Sequence, residues 1–164
     1  MTRHFPNATT AVLILLCLIS GMGTAQAKSG KGSSVYLTDT FRKWQAGHQK
    51  VCDLMGQYKF EEALKESKPL LGYLAELKLT DGKEMFETCN NLGAIHLHLK
   101  DFQEAHNLFW TAMKIGTQVY GSDSIQVGFV FKNLSMLYGE RADLIFLKHR
   151  DELGGSQNQA PQKK

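Results

Sequence analysis

The sequence lacks an excess of charge of either sign. Lysine and arginine together number 19 and aspartate and glutamate number 16, which gives a formal net charge of +3 at pH 7. The two signs are interleaved, as in the stretch from Glu61 to Lys68, and such mixing is typical of the solvated faces of helices. A nucleic-acid-binding protein instead concentrates its basic residues on one surface. The sequence therefore predicts no nucleic-acid partner.

Motifs that carry catalysis or bind cofactors are also missing. The chain has no Gly-x-Ser-x-Gly elbow, no phosphate-binding loop and no Gly-rich dinucleotide turn. Residues 149–151 read His-Arg-Asp, as in a kinase catalytic loop, but no other kinase element accompanies them. We therefore predict no catalytic residue and no bound cofactor.

The six histidines do not form a metal-binding pattern. His96 and His98 are two residues apart on a predicted helix, so their side chains point to different faces. A shared metal ion would require a spacing such as i, i+4, which places both ligands on one face. We predict no metal site. An enzyme or metal carrier that uses the histidines and cysteines is the alternative from another functional class.

A long apolar run is absent outside the N-terminal region. Residues 11–19 are apolar throughout, but a membrane-spanning helix needs about 20 such residues. Arg3 precedes the run, and residues 25–27, Ala-Gln-Ala, form the small-x-small site that signal peptidase prefers. We predict that residues 1–27 are a signal peptide, with a retained N-terminal anchor as the alternative. The processed chain is then expected to be periplasmic or secreted, without a membrane span.

Composition divides the remaining chain into three parts. The Gly, Ser and Lys residues of 28–37 predict a flexible leader, and the Gly, Gln, Asn, Pro and Lys residues of 154–164 predict a disordered tail. Residues 38–153 carry a helical pattern and are expected to form the single folded domain.

The clearest helical pattern begins at Phe102. Apolar side chains recur there at the three- and four-residue spacing of an amphipathic helix, at Phe102, Ala105, Leu108, Phe109, Ala112, Met113 and Val119. Asp101 is positioned to cap the first turn, with Glu104 as its capping-box partner. Gly121 supplies a left-handed stop. This helix is therefore expected to bury one stripe against a neighbour.

The same elements recur 42 residues apart along the chain. Asn91-Leu92-Gly93 is matched by Asn133-Leu134-Ser135, and Phe102-Gln103-Glu104-Ala105 by Phe60-Glu61-Glu62-Ala63. A shared period of this length indicates stacked supersecondary units, none of which can bury its apolar face alone.

Here the sequence resembles the tetratricopeptide repeat family. The packing residues of that motif have counterparts at Leu92, Gly93, Ala105, Phe109 and Ala112. The 42-residue unit, with Asn-Leu in its first helix and Tyr-Gly-x-Asp at residues 120–123, is most similar to the kinesin-light-chain type. The resemblance extends from Trp44 to Tyr138. It implies an all-α solenoid of about three antiparallel helix pairs with a terminal capping helix.

Local signals predict where the first pair begins and bends. Its first helix is expected to start at Thr38 or Asp39. Its second helix, residues 60–79, should bend at Pro69, because proline lacks a backbone donor. Val51 stands where the next unit has Gly93, so a close approach of the two helices is not expected there.

The later boundaries are predicted in the same way. Asp81 and Glu84 form the next expected capping pair. Asp123 or Ser124 should start a helix over residues 125–138. Residues 141–153 carry apolar side chains between charged ones, and we predict that they form the separate helix that covers the open end of the stack.

The resemblance implies that the first helix of each pair lines a concave binding surface. The residues in register with that surface are Gln45, His48, Met55, Asn90, Ala94, Leu97, His98, Lys132 and Met136. Their mixed chemistry suits an extended or helical peptide, and we predict a noncatalytic protein-interaction module. Only Asn90 and Lys132 match a peptide-carboxylate clamp. The alternative is that several of the nine residues pack between helices.

Trp110 is a further candidate contact, because it follows the apolar Phe109 and is expected to be exposed as an anchor for a partner. An open end of the stack would also permit self-association. A structural subunit of an envelope or secretion assembly is the alternative function.

Cys52 and Cys89 are the two cysteines that remain after processing. Export permits a disulfide between them. The resemblance places them on the first helices of neighbouring units but about five residues out of step, roughly 7 Å along the axis. A disulfide and two buried thiols are therefore both open.

Overall fold

The computed structural model describes residue 35 and residues 38–150, which are all-helical as predicted. Their six helices, in chain order, are α1 (Asp39–Gly56), α2 (Phe60–Ser67), α3 (Leu70–Glu76), α4 (Lys83–His98), α5 (Phe102–Tyr120) and α6 (Ile125–Lys148). The predicted signal peptide, most of the leader, the end of the helical domain and the tail lie outside the described residues.

Three of the predicted helix starts are confirmed by side-chain caps. The side-chain oxygens of Thr38, Asp101 and Ser124 each accept a hydrogen bond from the backbone amide three residues later, at 3.2, 3.5 and 3.4 Å. Each satisfies a donor that the first turn leaves without an intrahelical partner. The predicted cap at Asp81 is wrong, because α4 begins after Gly82 without a side-chain cap and Glu84 is buried in the core.

The second helix of the first unit is broken where a bend was predicted. The chain leaves α2 at Ser67 and re-enters a helix at Leu70, with Pro69 at the junction. Pro69 cannot donate to the carbonyl of the preceding turn, and its ring crowds that carbonyl. The close approach of this unit occurs at Gly47, where an added Cβ would lie 2.9 Å from Leu70 Cδ2.

Two contacts, each between an aromatic ring and a glycine of the facing helix, hold α4 and α5 together. A Cβ added to Gly93 of α4 would lie 2.7 Å from the Phe109 ring of α5. In the opposite direction, a Cβ added to Gly116 of α5 would lie 2.7 Å from the Phe86 ring of α4. Each glycine therefore leaves the space that a buried ring of the facing helix fills, and the two helices pack closely along their length.

The predicted separate capping helix is wrong, because α6 is one uninterrupted helix from Ile125 to Lys148. Neither Gly139 nor any later residue of α6 stops it, since an isolated glycine costs only about 1 kcal/mol relative to alanine within a helix. Lys100, in the turn between α4 and α5, forms an ion pair with Glu140. The part of α6 beyond Glu140 therefore extends past the end of the α4–α5 pair.

The extended end of α6 does not cover the stack. Its four consecutive apolar residues, Leu144 to Leu147, remain exposed, Phe146 and Leu147 to 61%. The core lies instead between α1 to α5 and the part of α6 up to Leu137, where Val127, Val130 and Leu137 are buried. None of the helices in the described region is both long and apolar enough to cross a membrane.

Candidate functional site

Buried polar contacts join the first helices of successive units, α1, α4 and α6, which we call the leading helices. Asn91 of α4 hydrogen-bonds His48 of α1 at 3.1 Å, and Asn133 of α6 donates to Asn90 of α4 at 3.0 Å. Both contacts span 43 positions, one more than the sequence period. We call these contacts the asparagine ladder, and they hold the leading helices side by side.

The first step of the ladder fixes the state of His48. Its ring stacks on Trp44 at 5.1 Å, and the Asn91 amide nitrogen lies against its Nε2 and within 3.5 Å of Cys52 Sγ. Burial lowers the pKa of His48 to about 4, because the charged imidazolium would lose its hydration. His48 is therefore a neutral hydrogen-bond acceptor in the core rather than a proton donor.

The nine residues predicted to line the concave surface differ in their exposure to solvent. Gln45 and Lys132 are exposed, and His98 and Met136 are partly buried. The other five are buried in the core, and these are His48, Met55, Asn90, Ala94 and Leu97.

The prediction that those five side chains face a partner is therefore corrected. α4 has neighbours on nearly every side, because it packs against α1, α2, α3, α5 and α6. Ala94 and Asn90 are only 1% and 2% exposed, so they form the floor between the leading helices. A repeat period places residues in register, but it does not tell which side of a central helix stays open.

The accessible surface lies along α6 and the end of α4. Lys132, Met136 and Glu140 follow one another at four-residue spacing and therefore share one face of α6. Glu140 reaches Lys100 and lies close enough to His98 to raise its pKa, although burial of His98 has the larger and opposite effect. We call Lys132, Met136, Glu140 and His98 the groove rim.

Two contributors to this surface were missed at the sequence level. Phe60, at the start of α2, stacks on His98 with ring centroids 3.9 Å apart. Glu140 lies 42 residues after His98, so the period itself contained the signal for it. The Phe60 contact joins different helices of neighbouring units, and no spacing within the sequence indicates it.

A second group of titratable residues lies at the opposite end of α4. Burial raises the pKa of Glu87 to about 7, with Lys83 lowering it and Glu84 raising it further. Burial and these two carboxylates also raise the pKa of Tyr120 to about 12. Oε1 of Glu84 is buried without a hydrogen-bond partner. The raised pKa of Glu87 therefore keeps this carboxyl protonated up to about pH 7, where an ordinary glutamate is already ionised.

The Glu87→Gln variant is expected to change how stability depends on pH. The raised pKa of Glu87 means that its contribution is complete below its ordinary value of 4.5 and is lost as pH rises through about 7. The lowered pKa of His48 works oppositely, because stability falls as pH drops from 6.5 towards about 4. The two effects oppose each other between pH 4.5 and 6.5 in the natural chain.

In Glu87→Gln the effects of His48 and of His98, whose pKa burial also lowers, should remain, so the free energy of unfolding should rise from pH 4.5 to 6.5 and then level off. Urea unfolding at several pH values measures this. The exposed Glu61→Gln is the matched control and should keep the natural profile. A Glu87→Gln profile that coincides with the natural one would contradict the assignment.

Trp110 is 53% exposed on α5, in the position from which a partner could reach it. Its ring lies edge-on to His106 at 6.1 Å, and Tyr138 of α6 approaches the same histidine at 6.0 Å. The three rings form an aromatic surface where α5 and α6 meet. The role of Trp110 as an anchor stays a prediction.

Among residues 38–150, the cysteines and histidines form no reactive arrangement. Cys52 and Cys89 are buried thiols, and burial raises the pKa of Cys89 to about 11, which disfavours the thiolate that reacts or binds metal. His96 contacts Asp101 at 3.0 Å. Within residues 38–150, no group of three or more His, Cys, Asp or Glu side chains could hold a metal ion.

Residues 87–126 match the family model of the tetratricopeptide repeat. The chain contains a tetratricopeptide repeat. The matched segment comprises most of α4, all of α5 and the first residues of α6, so the repeat coincides with the helix pair that exchanges Phe109 and Phe86 across glycines. No curated protein and no solved structure matches the chain.

The repeat accounts for the fold around it. Its 42-residue period reappears as the asparagine ladder on both sides, towards α1 and towards α6. The match confirms the predicted repeat within residues 87–126, whereas the more specific likeness to the kinesin-light-chain type stays a prediction. The family is generally noncatalytic and suggests protein partners.

Proposed function

We propose that this protein is a noncatalytic interaction module whose groove rim binds an extended or helical segment of a partner protein. The observation that carries the proposal is the asparagine ladder, which fixes the leading helices before any partner arrives. A surface held in this way loses little conformational entropy on binding. The tetratricopeptide repeat supports a protein as the partner.

The chemistry of the groove rim suggests what the partner segment contains. Lys132 is an exposed cation that can pair with a carboxylate, and Met136 one turn later offers an adaptable apolar contact. Glu140 and Lys100 are already paired with each other. The favoured segment is therefore one that carries an acidic residue next to an apolar one.

The Lys132→Glu variant tests the proposal. We expect it to reduce capture of the partner from extracts of the producing cells by about tenfold or more, because it replaces attraction by repulsion. Lys114→Glu makes the same charge change on the exposed side of α5 and is the matched control. Equal capture by both variants would contradict binding at the groove rim.

A structural subunit of a larger assembly is the second candidate function. It is favoured by the exposed apolar end of α6, Leu144 to Leu147. The same capture experiment separates the two, because loss of a single soluble ligand with Lys132→Glu supports the groove rim. Retention of a large complex by that variant supports the assembly role.

We also propose that the chain is exported. The support is the N-terminal sequence alone, with its apolar run and the Ala-Gln-Ala site at residues 25–27. The isolated protein should then begin at Lys28, and a chain that retains Met1 to Ala27 would contradict cleavage there.

A further inference from the structure

α6 has a second face, most of which the described residues leave uncovered. The exposed residues of this open face are Gly128, Phe131, Ser135 and Gly139, with the partly buried Ala142 beside them and Tyr138 at the edge, where its ring lies 6.0 Å from His106 of α5. Phe131 is 59% exposed and Tyr138 is 46% exposed. A Cβ added to either Gly128 or Gly139 would meet nothing within 4 Å, so both glycines border open space.

The corresponding face of the preceding leading helix is covered. One period earlier, Cys89 and Gly93 of α4 stand in the places of Phe131 and Ser135, and both are buried. The helix that covers them is α5, whose Phe109 ring fills the space at Gly93. Within residues 38–150, therefore, the face of α6 that corresponds to the covered face of α4 has no helix packed against it.

The composition of residues 151–164 supplies little that could cover the open face of α6. Apart from Pro161, residues 151–164 contain only Leu153 and Ala160 as aliphatic side chains, among Gly, Ser, Gln, Asn, Lys and acidic residues. A helix that covers Phe131 and Tyr138 must bring an apolar stripe of its own, because burial of apolar area drives such packing.

We propose that the open face of α6 binds the same face of a second copy of this chain, in an antiparallel pair with Ser135 at the twofold axis. In such an isologous contact, residues equally distant from the axis lie opposite each other. Phe131 and Gly139 are each four residues from Ser135, so each Phe131 ring meets Gly139 of the other copy. Gly128 and Ala142, each seven residues away, pair small against small.

This arrangement repeats the packing that the chain already uses internally. Between α4 and α5, Phe109 lies over Gly93 and Phe86 over Gly116. α6 carries both halves of the same exchange on one exposed face, a ring and the glycine that accepts it. Because Phe131 and Gly139 lie at equal distances on either side of Ser135, the face is complementary to itself, which favours a second copy as the occupant. The inference is independent of the groove rim and its ligand.

The Gly139→Leu variant separates the pairing from the fold. Its side chain enters open space in the single chain, and leucine favours a helix over glycine, so the fold should be retained. In the pair it occupies the position of the second copy's Phe131 ring. Sedimentation equilibrium of the full natively processed chain should show twice the mass of a single chain. The dissociation constant of the dimer should be at least about tenfold higher for Gly139→Leu.

Gly72→Leu is the matched control, because Gly72 also lies in a helix with nothing within 4 Å of an added Cβ, but away from α6. It should leave the association unchanged. A chain that stays monomeric at all concentrations would overturn the proposal, including the case in which its own N-terminal segment covers the face. Equal association of Gly139→Leu and the natural chain would overturn it as well.

The Ser135→Cys variant tests the register directly. Because Ser135 lies at the proposed axis, its replacements in the two copies should form an intermolecular disulfide on mild oxidation, which a nonreducing gel detects. Gly72→Cys should give no such dimer under the same conditions. Dimers that form without a crosslink at position 135 would show a different interface and overturn the antiparallel pairing.

Discussion

The Phe109→Ala variant is expected to lower the free energy of unfolding by about 3–5 kcal/mol. Phe109 is fully buried between α4 and α5, within the tetratricopeptide repeat. Its removal loses the transfer free energy of the ring and leaves a cavity beside Gly93 that the helix backbones cannot close fully. Urea unfolding monitored by helical circular dichroism measures the loss.

The Phe109 ring also determines whether a second substitution, Gly93→Ala, destabilises or stabilises the fold. Gly93→Ala should destabilise the natural chain by about 1–3 kcal/mol, because the added Cβ would lie 2.7 Å from the Phe109 ring. In the Phe109→Ala background the ring is gone, and Gly93→Ala should become stabilising by about 0.5–1 kcal/mol through helix propensity.

Gly72→Ala is the control for this pair of measurements. It has open space at the added Cβ and should be neutral or stabilising in both backgrounds. If Gly93→Ala has the same effect with and without Phe109, the close approach of α4 and α5 at this position is refuted.

The Asn90→Leu variant is expected to cost about 2–3 kcal/mol, at the upper end of the range for a buried polar group that loses its partner. Asn133 is fully buried and donates to Asn90 Oδ1, while its own Oδ1 already lacks a partner. Loss of Asn90 therefore leaves both polar atoms of the Asn133 amide unsatisfied in the core. Thermal and urea unfolding measure the change.

Substitution of the partner asparagine, Asn133→Leu, should lower the free energy of unfolding by less. Asn133→Leu removes the unsatisfied Oδ1 together with the donor and leaves only Asn90 Oδ1 without its bond. The double variant Asn90→Leu/Asn133→Leu should then lie within about 1 kcal/mol of the natural chain, because both partners become apolar. The exposed Asn107→Leu is the control. Additive losses in the double variant would show that the two asparagines are not coupled across α4 and α6.

Much of the local structure could be predicted, because its causes lie within a few residues. The caps at Thr38, Asp101 and Ser124 depend only on an oxygen placed three residues before an amide. The break at Pro69 depends on one missing donor. The period depends on identical contacts repeated between stacked units, so it is visible in the residue types themselves.

The candidate site was less predictable. The 42-residue period correctly placed Lys132 and Met136 in register with Asn90 and Ala94. In the structure, however, Asn90 and Ala94 are buried, whereas Lys132 and Met136 are accessible. The difference arises because α4 has neighbours on both sides along the stack whereas α6 has them on one side. Position within the stack, not residue type, decides which members of a repeated face remain open.

By itself, the sequence determined the all-helical repeat, its 42-residue step and most of its helix ends. These follow from periodic burial and from hydrogen bonds between near neighbours in the chain. Only the tertiary structure decided that α6 continues unbroken past Glu140, that five supposed surface residues form the floor, and that Gly93 and Phe109 fill each other's space. Those outcomes depend on which helices lie beside one another. Contacts between helices that are distant in the chain produce no regular residue spacing, so a single sequence does not reveal them.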